Sequence, residues 1–541
     1  MNAQVGAQTC ELLVGVDSRY PITLPVIMLI RAPSFPSMPH VEVDGFICTT
    51  TSNERFDRDQ PVGLLEHLLG RALDILERGQ TRANEGEFRD EFISYWNPTT
   101  EKREVVSLLD PCEPTRRVRA WRGAKLTLIA ETGLQARNWL GNRGKKHVAA
   151  STISEALFMW LPQPMLPDEY PSDVEGVRAV SRMAGNGAAE LLDGLLRRAA
   201  TDITIVIGAQ SQNGPCLAGV EIRRRRHFTG PKRSRQLRRR SASQELTFAE
   251  ALRGIVTRLK VTRADPWWIH GRDHNPDLVG LRTSRVALVG CGSLGSPIAR
   301  LLALAGVCEL RLIDDQLLAW ENVGRHVLGA SAVDYGKAPM LAERLRADFP
   351  HSQFTGVQKR WQDATQLFDG CDLIISTLGS FDDEAELNRW QIDQGFPATV
   401  YGWVEPRACA AHAVLIASQS GCFACGFTDS GDPVSEMTRW PEEQLAREPA
   451  CGAWFMPYGG DEITSAAVLV GDLALDYLTD RTEAGLHRMA SVRSELLALA
   501  GGHWAEWWVA EAAGQDPGGR TRTAAWPARP SCPVCRGGGL S

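Results

Sequence analysis

The stretch Arg285-Val-Ala-Leu-Val-Gly-Cys-Gly-Ser-Leu-Gly-Ser-Pro297 decides the fold of the C-terminal half of this chain. Val286 to Val289 is a short apolar run of buried-strand type, and the glycines that follow it turn directly into a helix. Gly290, Gly292 and Gly295 let the backbone turn tightly and approach phosphates, whose charge is met by free N–H groups at the helix start. A second short strand, Glu309 to Ile313, ends at Asp314, where folds of this kind hold a ribose hydroxyl. With a third strand candidate at Leu373 to Ser376, the alternation of strands and helices from residue 266 onward predicts an α/β domain built on a parallel-type sheet.

A glycine loop followed by an acidic residue also suits a nicotinamide dehydrogenase, so the residues after Asp314 must discriminate. Glu321-Asn-Val-Gly-Arg-His326 and Gly336-Lys337 place the amide of Asn322, the guanidinium of Arg325 and the ammonium of Lys337 there. A triphosphate being cleaved needs cations that neutralise charge developing on the leaving pyrophosphate. Either cation alone reads as a surface charge; together they favour ATP.

The bulk properties bound the rest. A chain of 541 residues is expected to hold about three domains. Its net charge of −6 carries no global bias toward nucleic acid or membrane. The basic run Arg223 to Arg226 and Lys232 to Arg240 reads first as a solvated loop or hairpin tip, with nucleic-acid contact the lesser reading. No apolar run is of membrane-spanning length, and Met1 to Glu11 has no signal-like pattern, so a cytoplasmic protein is expected. Thirteen cysteines, an odd number, then point to metal or catalytic roles before disulfides.

Cys422-Phe-Ala-Cys425 and Cys532-Pro-Val-Cys535 each have the spacing that lets two thiolates reach one tetrahedral zinc ion. Together they would form a structural four-thiolate Zn2+ site; the alternative is two unrelated reduced pairs. Cys451, in Glu448-Pro-Ala-Cys-Gly-Ala-Trp-Phe455, stands unpaired before a helical stretch from Ile463 to Leu478. A loop cysteine there suits a nucleophile, because a thiolate attacks a mixed anhydride readily; a buried core cysteine is the alternative. Cys10, Cys112, Cys216, Cys291, Cys308, Cys371 and Cys409 lack such context and read as packing residues. In the N-terminal part, Pro25 to Ile30 reads as a strand. Leu64, Leu65, Leu68, Leu69, Leu73 and Leu76 give a helix from Pro61 to Arg78 one apolar face.

Residues 285–340 resemble the adenylation (ThiF-type) domain of ubiquitin-activating enzymes and of the thiamine and molybdopterin adenylyltransferases. The resemblance implies a Rossmann-like fold and activation of a protein's C-terminal carboxylate as an acyl-adenylate, with ATP and Mg2+. It implies that Asp314 binds ribose and that Asn322, Arg325 and Lys337 contact phosphates. The family's magnesium aspartate has no counterpart in Ile375-Ser-Thr-Leu-Gly-Ser-Phe-Asp-Asp383: Gly379 occupies its place, and Asp382 or Asp383 would substitute. Relatives commonly pair two adenylation domains, which implies a homodimer in which Arg272 of Trp268-Ile-His-Gly-Arg-Asp273 is the candidate residue lent to the other copy.

The segment from Tyr20 to Cys48 is similar to ubiquitin-conjugating enzymes over their active-site stretch, through Tyr20-Pro21, Pro25, Pro39-His40 and Gly45-Phe-Ile-Cys48. Cys48 falls on the thioester-carrying cysteine. His40 stands where the family has an asparagine that steadies the oxyanion, and an imidazole N–H would donate a comparable bond. The expected organisation is therefore an α+β ubiquitin-conjugating-like domain at 1–118, a mixed middle domain at 119–265 and the adenylation domain at 266–541.

This layout resembles the conjugation enzymes of bacterial antiphage (CBASS) operons that signal with cyclic oligonucleotides. The resemblance implies that the partner is a cyclic-oligonucleotide synthase (CD-NTase) of the same operon. Its C-terminus would be activated, captured on Cys451, passed to Cys48 and joined to a target amine, with neither a membrane nor a nucleic acid as partner. A sulfur-carrier adenylyltransferase and an inactive scaffold are the rival readings.

Overall fold

The computed structural model describes residues 1–535 apart from 6–7, 32–37, 43, 51–53, 146–147, 186, 199–200, 225–246, 396–397, 418–420, 429–430, 442–445, 448–453 and 456. The chain divides into two compact units, one of residues 1–137 and 148–265, the other of 138–147 and 266–541. Among the described residues no helix is long and apolar enough to cross a membrane.

The first unit opens with three antiparallel strands in sequential order, β1 (Asn2–Val5), β2 (Gln8–Gly15) and β3 (Val26–Arg31). Helix α1 (Pro61–Gln80) begins on a proline, whose missing N–H costs nothing in a first turn. It buries Leu64, Leu68, Ala72 and Leu76, one residue every four, against Val5, Leu12, Ile27 and Ile47. Leu65, Leu69 and Leu73, expected on the same face, lie half-buried at its border.

Seven further strands close a barrel: β4 (Glu101–Ser107), β5 (Arg116–Arg122), β6 (Leu126–Ala130), β7 (Ile153–Leu161), β8 (Ile203–Ser211), β9 (Gly214–Arg223) and β10 (Ile255–Arg263). The order around it is β10-β4-β6-β5-β7-β8-β9, and closure leaves no unpaired edge. Val105, Val118, Ile129, Phe158, Val206 and Leu259 fill one apolar cluster of this barrel. The amphipathic helices α2 (Val174–Ala184) and α3 (Ala188–Arg198) pack on β7 and β8 from the other side. A division of the chain between residues 118 and 119 would cut β5. The basic run lies outside the described residues beyond Arg224. The short helix Phe92–Trp96 is anchored to the barrel by Trp96, fully buried, whose indole N–H donates to the carbonyl of Leu259 at 3.1 Å.

The second unit is built on an eight-stranded sheet. Its strands are β11 (Arg285–Val289), β12 (Glu309–Ile313), β13 (Gln353–Val357), β14 (Leu373–Ser376), β15 (Ala398–Val404), β16 (Ala410–Ile416), β17 (Leu486–Ser491) and β18 (Thr521–Ala525). The order is β13-β12-β11-β14-β15-β16-β17-β18. The first five are parallel, as the sequence predicts, while β16, β17 and β18 add an antiparallel half. Helices α4 (Gly295–Ala305), α5 (Lys337–Asp348) and α7 (Gly460–Leu478) share a core with Val286 and Leu288 on one face. Helix α6 (Phe381–Gln394), Phe423 and Trp526 cover Ala287 and Val289 on the other. Because both faces are buried, β11 reads as a continuous apolar run.

Three imidazoles of this unit are held neutral. Burial pushes His326 down to about 4; burial, with neighbouring His270 and Arg282, takes His351 to about 3; burial, with His412 and Arg522, takes His487 to about 2. An unfolded histidine takes a proton near pH 6.5, so below that value the unfolded state binds more protons and stability falls with pH. Between pH 7.5 and 5.5 each should remove about 1.4 kcal/mol, roughly 4 kcal/mol for the three. Urea unfolding at the two pH values measures the loss, and His487→Phe should flatten the dependence by about a third.

Candidate functional site

The strand order reverses at β11, with β12 on one side and β14 on the other, so a crevice opens beyond the carboxyl ends of these two strands. The loop after β11 lies in it. Gly290 has φ +85°, and a Cβ there would stand 2.6 Å from the carbonyl oxygen of Thr377 after β14. A Cβ on Gly295 would stand 1.9 Å from the Gly290 oxygen. Gly292 differs: its side-chain position faces open space, the cradle that an approaching phosphate requires.

Polar groups gather around this loop. The carboxylate of Asp314, at the end of β12, accepts from the peptide N–H of Cys291 at 2.7 Å and of Gln316 at 2.8 Å. It therefore ties the glycine loop to the second strand and keeps further lone pairs for another donor. Lys337, at the start of α5, is only 6% exposed, and its ammonium donates to the amide oxygen of Gln316 at 2.7 Å. Three N–H donors on so buried a cation suit an anion in the crevice. The guanidinium of Arg325 lies over the ring of Tyr458, 4.9 Å from its centre, and the Tyr458 hydroxyl is 2.7 Å from that of Ser293 in the glycine loop. Asn322, one turn before Arg325, spends its amide oxygen on the N–H of Ala319 at 3.1 Å. His326 holds the loop from the side: Nε2 is 2.7 Å from the Cys291 carbonyl, and Nδ1 accepts from the N–H of Leu328 at 3.0 Å. That pattern assigns the proton to Nε2 of a neutral ring.

The sequence reading thus named Gly290, Gly292, Gly295, Asp314, Asn322, Arg325 and Lys337, which the fold gathers around one crevice, but missed Ser293, Gln316, His326 and Tyr458. Tyr458 had no signal, since it comes from a loop more than 160 positions downstream of the glycines. The carboxylates after β14 divide into two kinds. Glu384 is buried and its carboxylate accepts from the Ser376 hydroxyl and from the N–H of Leu378 at 3.0 Å, while burial raises it to about 7. Asp382 is exposed, and Asp383 lies half-buried with Arg360 at 3.8 Å. Arg272 is exposed in a left-handed turn, φ +50°.

The two C-x-x-C pairs meet although 110 positions separate them. The sulfurs of Cys422, Cys425, Cys532 and Cys535 lie within 4.8 Å of one another, with Cys422–Cys425 at 3.8 Å, Cys422–Cys532 at 3.6 Å and Cys425–Cys535 at 3.4 Å. A tetrahedron of sulfurs about 2.3 Å from a zinc ion has edges of about 3.8 Å, so the four thiols have the shape of that site. The Trp526 indole N–H, bonded to the Cys422 carbonyl at 3.0 Å, brings the last strand to this corner. Cys451 lies outside the described residues.

In the first unit Cys48 is exposed. Its peptide N–H donates to the carbonyl of His40 at 2.8 Å, and its thiol points to the carbonyl of Thr50 at 3.5 Å. Gly45, at φ +91°, is required by the turn before it, because a Cβ would meet the Leu29 oxygen at 2.2 Å. His40 takes the left-handed conformation, φ +63°, and its N–H donates to the Tyr95 hydroxyl at 2.8 Å. The ring N–H expected to serve an oxyanion faces a carboxylate instead: Nε2 lies 3.1 Å from Glu87 and Nδ1 3.7 Å from Glu91. Tyr95 in turn donates to Glu91 at 3.2 Å. Glu87, Glu91 and Tyr95 were missed, although their spacing of four is a helical-face signal. Of the cysteines read as packing residues, Cys112 is exposed and Cys308 half-buried; the other five are buried.

Residues 273–480 match the ThiF family, and residues 1–105 match the prokaryotic E2 family B. The ATP-dependent ubiquitin transferase-like protein Cap2 of Pseudomonas aeruginosa is 26% identical over 250 residues, 45% of this chain and 45% of that protein. The protein of the same name from Escherichia coli is 28% identical over 300 residues, 52% and 46%. The adenylyltransferase and sulfurtransferase uba4 of Aspergillus terreus is 38% identical over 103 residues, 18% and 21%. These matches span less than half the length of each relative. A crystal structure of E. coli MccB with ATP aligns over 48% of this chain and 68% of that one, at 15% identity and a TM-score of 0.34, too low to carry an argument. Each family accounts for its own stretch of one polypeptide, and the chain is a fusion of a prokaryotic E2 family B domain with a ThiF family domain.

Proposed function

We propose that this chain is an ATP-dependent protein-conjugating enzyme, which activates the C-terminus of a protein partner and transfers it through two cysteines to an amine. The crevice carries the reading: an open glycine position beside a helix start, with Arg325 and the buried Lys337 on the same loop system. The triphosphate of ATP lies along Gly290 to Gly295, with its ribose on Asp314 and its terminal phosphates against Asn322, Arg325 and Lys337. A C-terminal carboxylate attacks the α-phosphorus, a carbon–oxygen–phosphorus anhydride forms, and pyrophosphate leaves with its charge met by the two cations. The Cys451 thiolate attacks the acyl carbon and AMP departs. Cys48 accepts the acyl group by thioester exchange, helped by the high effective concentration that one polypeptide provides.

Asp382 and Asp383 are the carboxylates available to magnesium, which would neutralise phosphate charge. Glu384 is not available, because it is buried with its oxygens turned to Ser376 and Leu378. Cys422, Cys425, Cys532 and Cys535 would hold a structural zinc ion, whose four sulfur ligands leave no position open for chemistry. Free thiols in these roles need a reducing compartment, the cytoplasm. The Cap2 relatives support an ATP-dependent ubiquitin transferase-like activity; a CBASS setting, a cyclic-oligonucleotide synthase as the partner and homodimerisation through the adenylation domain are parts of the proposal. The alignment with an adenylyltransferase and sulfurtransferase favours a second reading for the ThiF segment, in which the adenylate passes to sulfur and no conjugate forms.

Mixing the chain, ATP and the co-encoded nucleotidyltransferase should produce a thiol-sensitive adduct on non-reducing gels. Cys451→Ala should abolish it, and Cys48→Ala should keep the adduct but lose stable conjugates; a thiocarboxylate on the partner's C-terminus, found by mass spectrometry, would instead support sulfur transfer. Lys337→Ala should lower partner-stimulated ATP–pyrophosphate exchange by about 100-fold. Metal analysis of the purified chain should find one zinc, absent in Cys532→Ser, and chelation should lower the unfolding temperature of the wild type only.

A further inference from the structure

We propose that His40 is the general base for the incoming amine, held in its working tautomer by Glu87, and is not an oxyanion donor. The inference rests on the reading of Cys48 as the acyl carrier. His40 is fixed at both backbone ends: its N–H is bonded to Tyr95, and its carbonyl accepts from the N–H of Cys48 itself. The backbone of His40 is thereby tied to that of the carrier cysteine. Its Nε2 is the ring nitrogen nearer a carboxylate, 3.1 Å from Glu87, and that ion-pair contact favours the neutral tautomer with its proton on Nε2 and its lone pair on Nδ1. Glu91, 3.7 Å from Nδ1, is an acceptor with no proton to give to that lone pair, and it is near enough to meet the charge once a proton arrives there. Tyr95 holds Glu91 in place through its hydroxyl. A carboxylate orienting an imidazole whose other nitrogen accepts a proton is the arrangement of a base and its orienting group.

The step balances. A neutral amine attacks the acyl carbon on Cys48, the nitrogen–carbon bond forms, and the carbon–sulfur bond breaks with its electron pair left on Sγ. The proton shed by the nitrogen passes to Nδ1 of His40, and the imidazolium is met by Glu87 and Glu91.

The family's own asparagine provides the test. His40 sits at φ +63°, a region that asparagine also enters readily, so His40→Asn keeps the backbone and restores an oxyanion donor while removing the base. The full chain is acylated with a synthetic peptide thioester ending in Gly-Gly, and acyl groups on Cys48 and Cys112 are followed separately by peptide mass mapping. Discharge is timed with lysine and with hydroxylamine, a weakly basic nucleophile whose nitrogen gives up its proton to water unaided. We expect the lysine-to-hydroxylamine rate ratio at Cys48 to fall about 100-fold in His40→Asn. In Glu87→Gln it should fall at least tenfold. An unchanged ratio in His40→Asn, or equal losses with both nucleophiles, overturns the base and leaves the carrier reading standing. Wild-type Cys48 discharging to lysine no faster than Cys112 overturns both.

Discussion

The contact between the loop after β11 and the loop after β14 is the constraint from which the second unit's chemistry follows. At Gly290 the two backbones come so close that a single methyl group would collide, at Gly295 a methyl group would strike the Gly290 carbonyl, and Thr377 seals the approach by donating its hydroxyl to that carbonyl at 2.8 Å. Only where the loop turns outward, at Gly292, is there space. A cradle for phosphate is therefore left over by packing that closes everything around it. Each hydrogen bond holding that loop is worth on the order of 1 kcal/mol, but Asp314, His326 and Thr377 act on the same six residues. Their joint effect is to pre-set the backbone N–H groups before any ligand arrives, which is what electrostatic catalysis requires.

Polar burial on this scale has a cost that the fold meets by pairing. Glu405, His412 and His487 form a buried chain in the antiparallel half of the sheet, with His412 2.7 Å from Glu405 and 2.9 Å from His487. Glu405 also accepts from Met437 and Thr438. Burial alone would raise its carboxyl, yet these bonds hold it below the usual range. The same logic governs the crevice, where Lys337 and Glu384 are buried but bonded. The N-terminal site takes another route. Cys48 stays exposed, and the charged groups around His40 come from a short helical segment fixed by Trp96 to the barrel.

The two sites differ in how far they can be read from residues alone. In the crevice, Gly290, Gly292, Gly295 and Asp314 are local: strand, loop and second strand lie within thirty positions, and each residue type answers a backbone requirement. Arg325 and Lys337 were legible as the cations that an ATP reading calls for, but the ring on which Arg325 rests was not. The barrel of residues 101–263 escaped reading altogether, since its strands pair parallel and antiparallel in an order that no periodicity reveals.

By itself, the sequence determined three of the five parallel strands, the glycine loop, the helix from Pro61 and the candidacy of four cysteines as a metal set, because each strand, loop, helix or cysteine pair rests on spacing within a few turns of chain. Tertiary structure alone decided that Cys532 comes within 3.6 Å of Cys422, that Tyr458 reaches Ser293, and that the His40 ring turns to Glu87. These contacts join residues far apart in the chain, or fix the direction of a side chain. Both depend on how whole elements pack, and local sequence pattern carries no information about that.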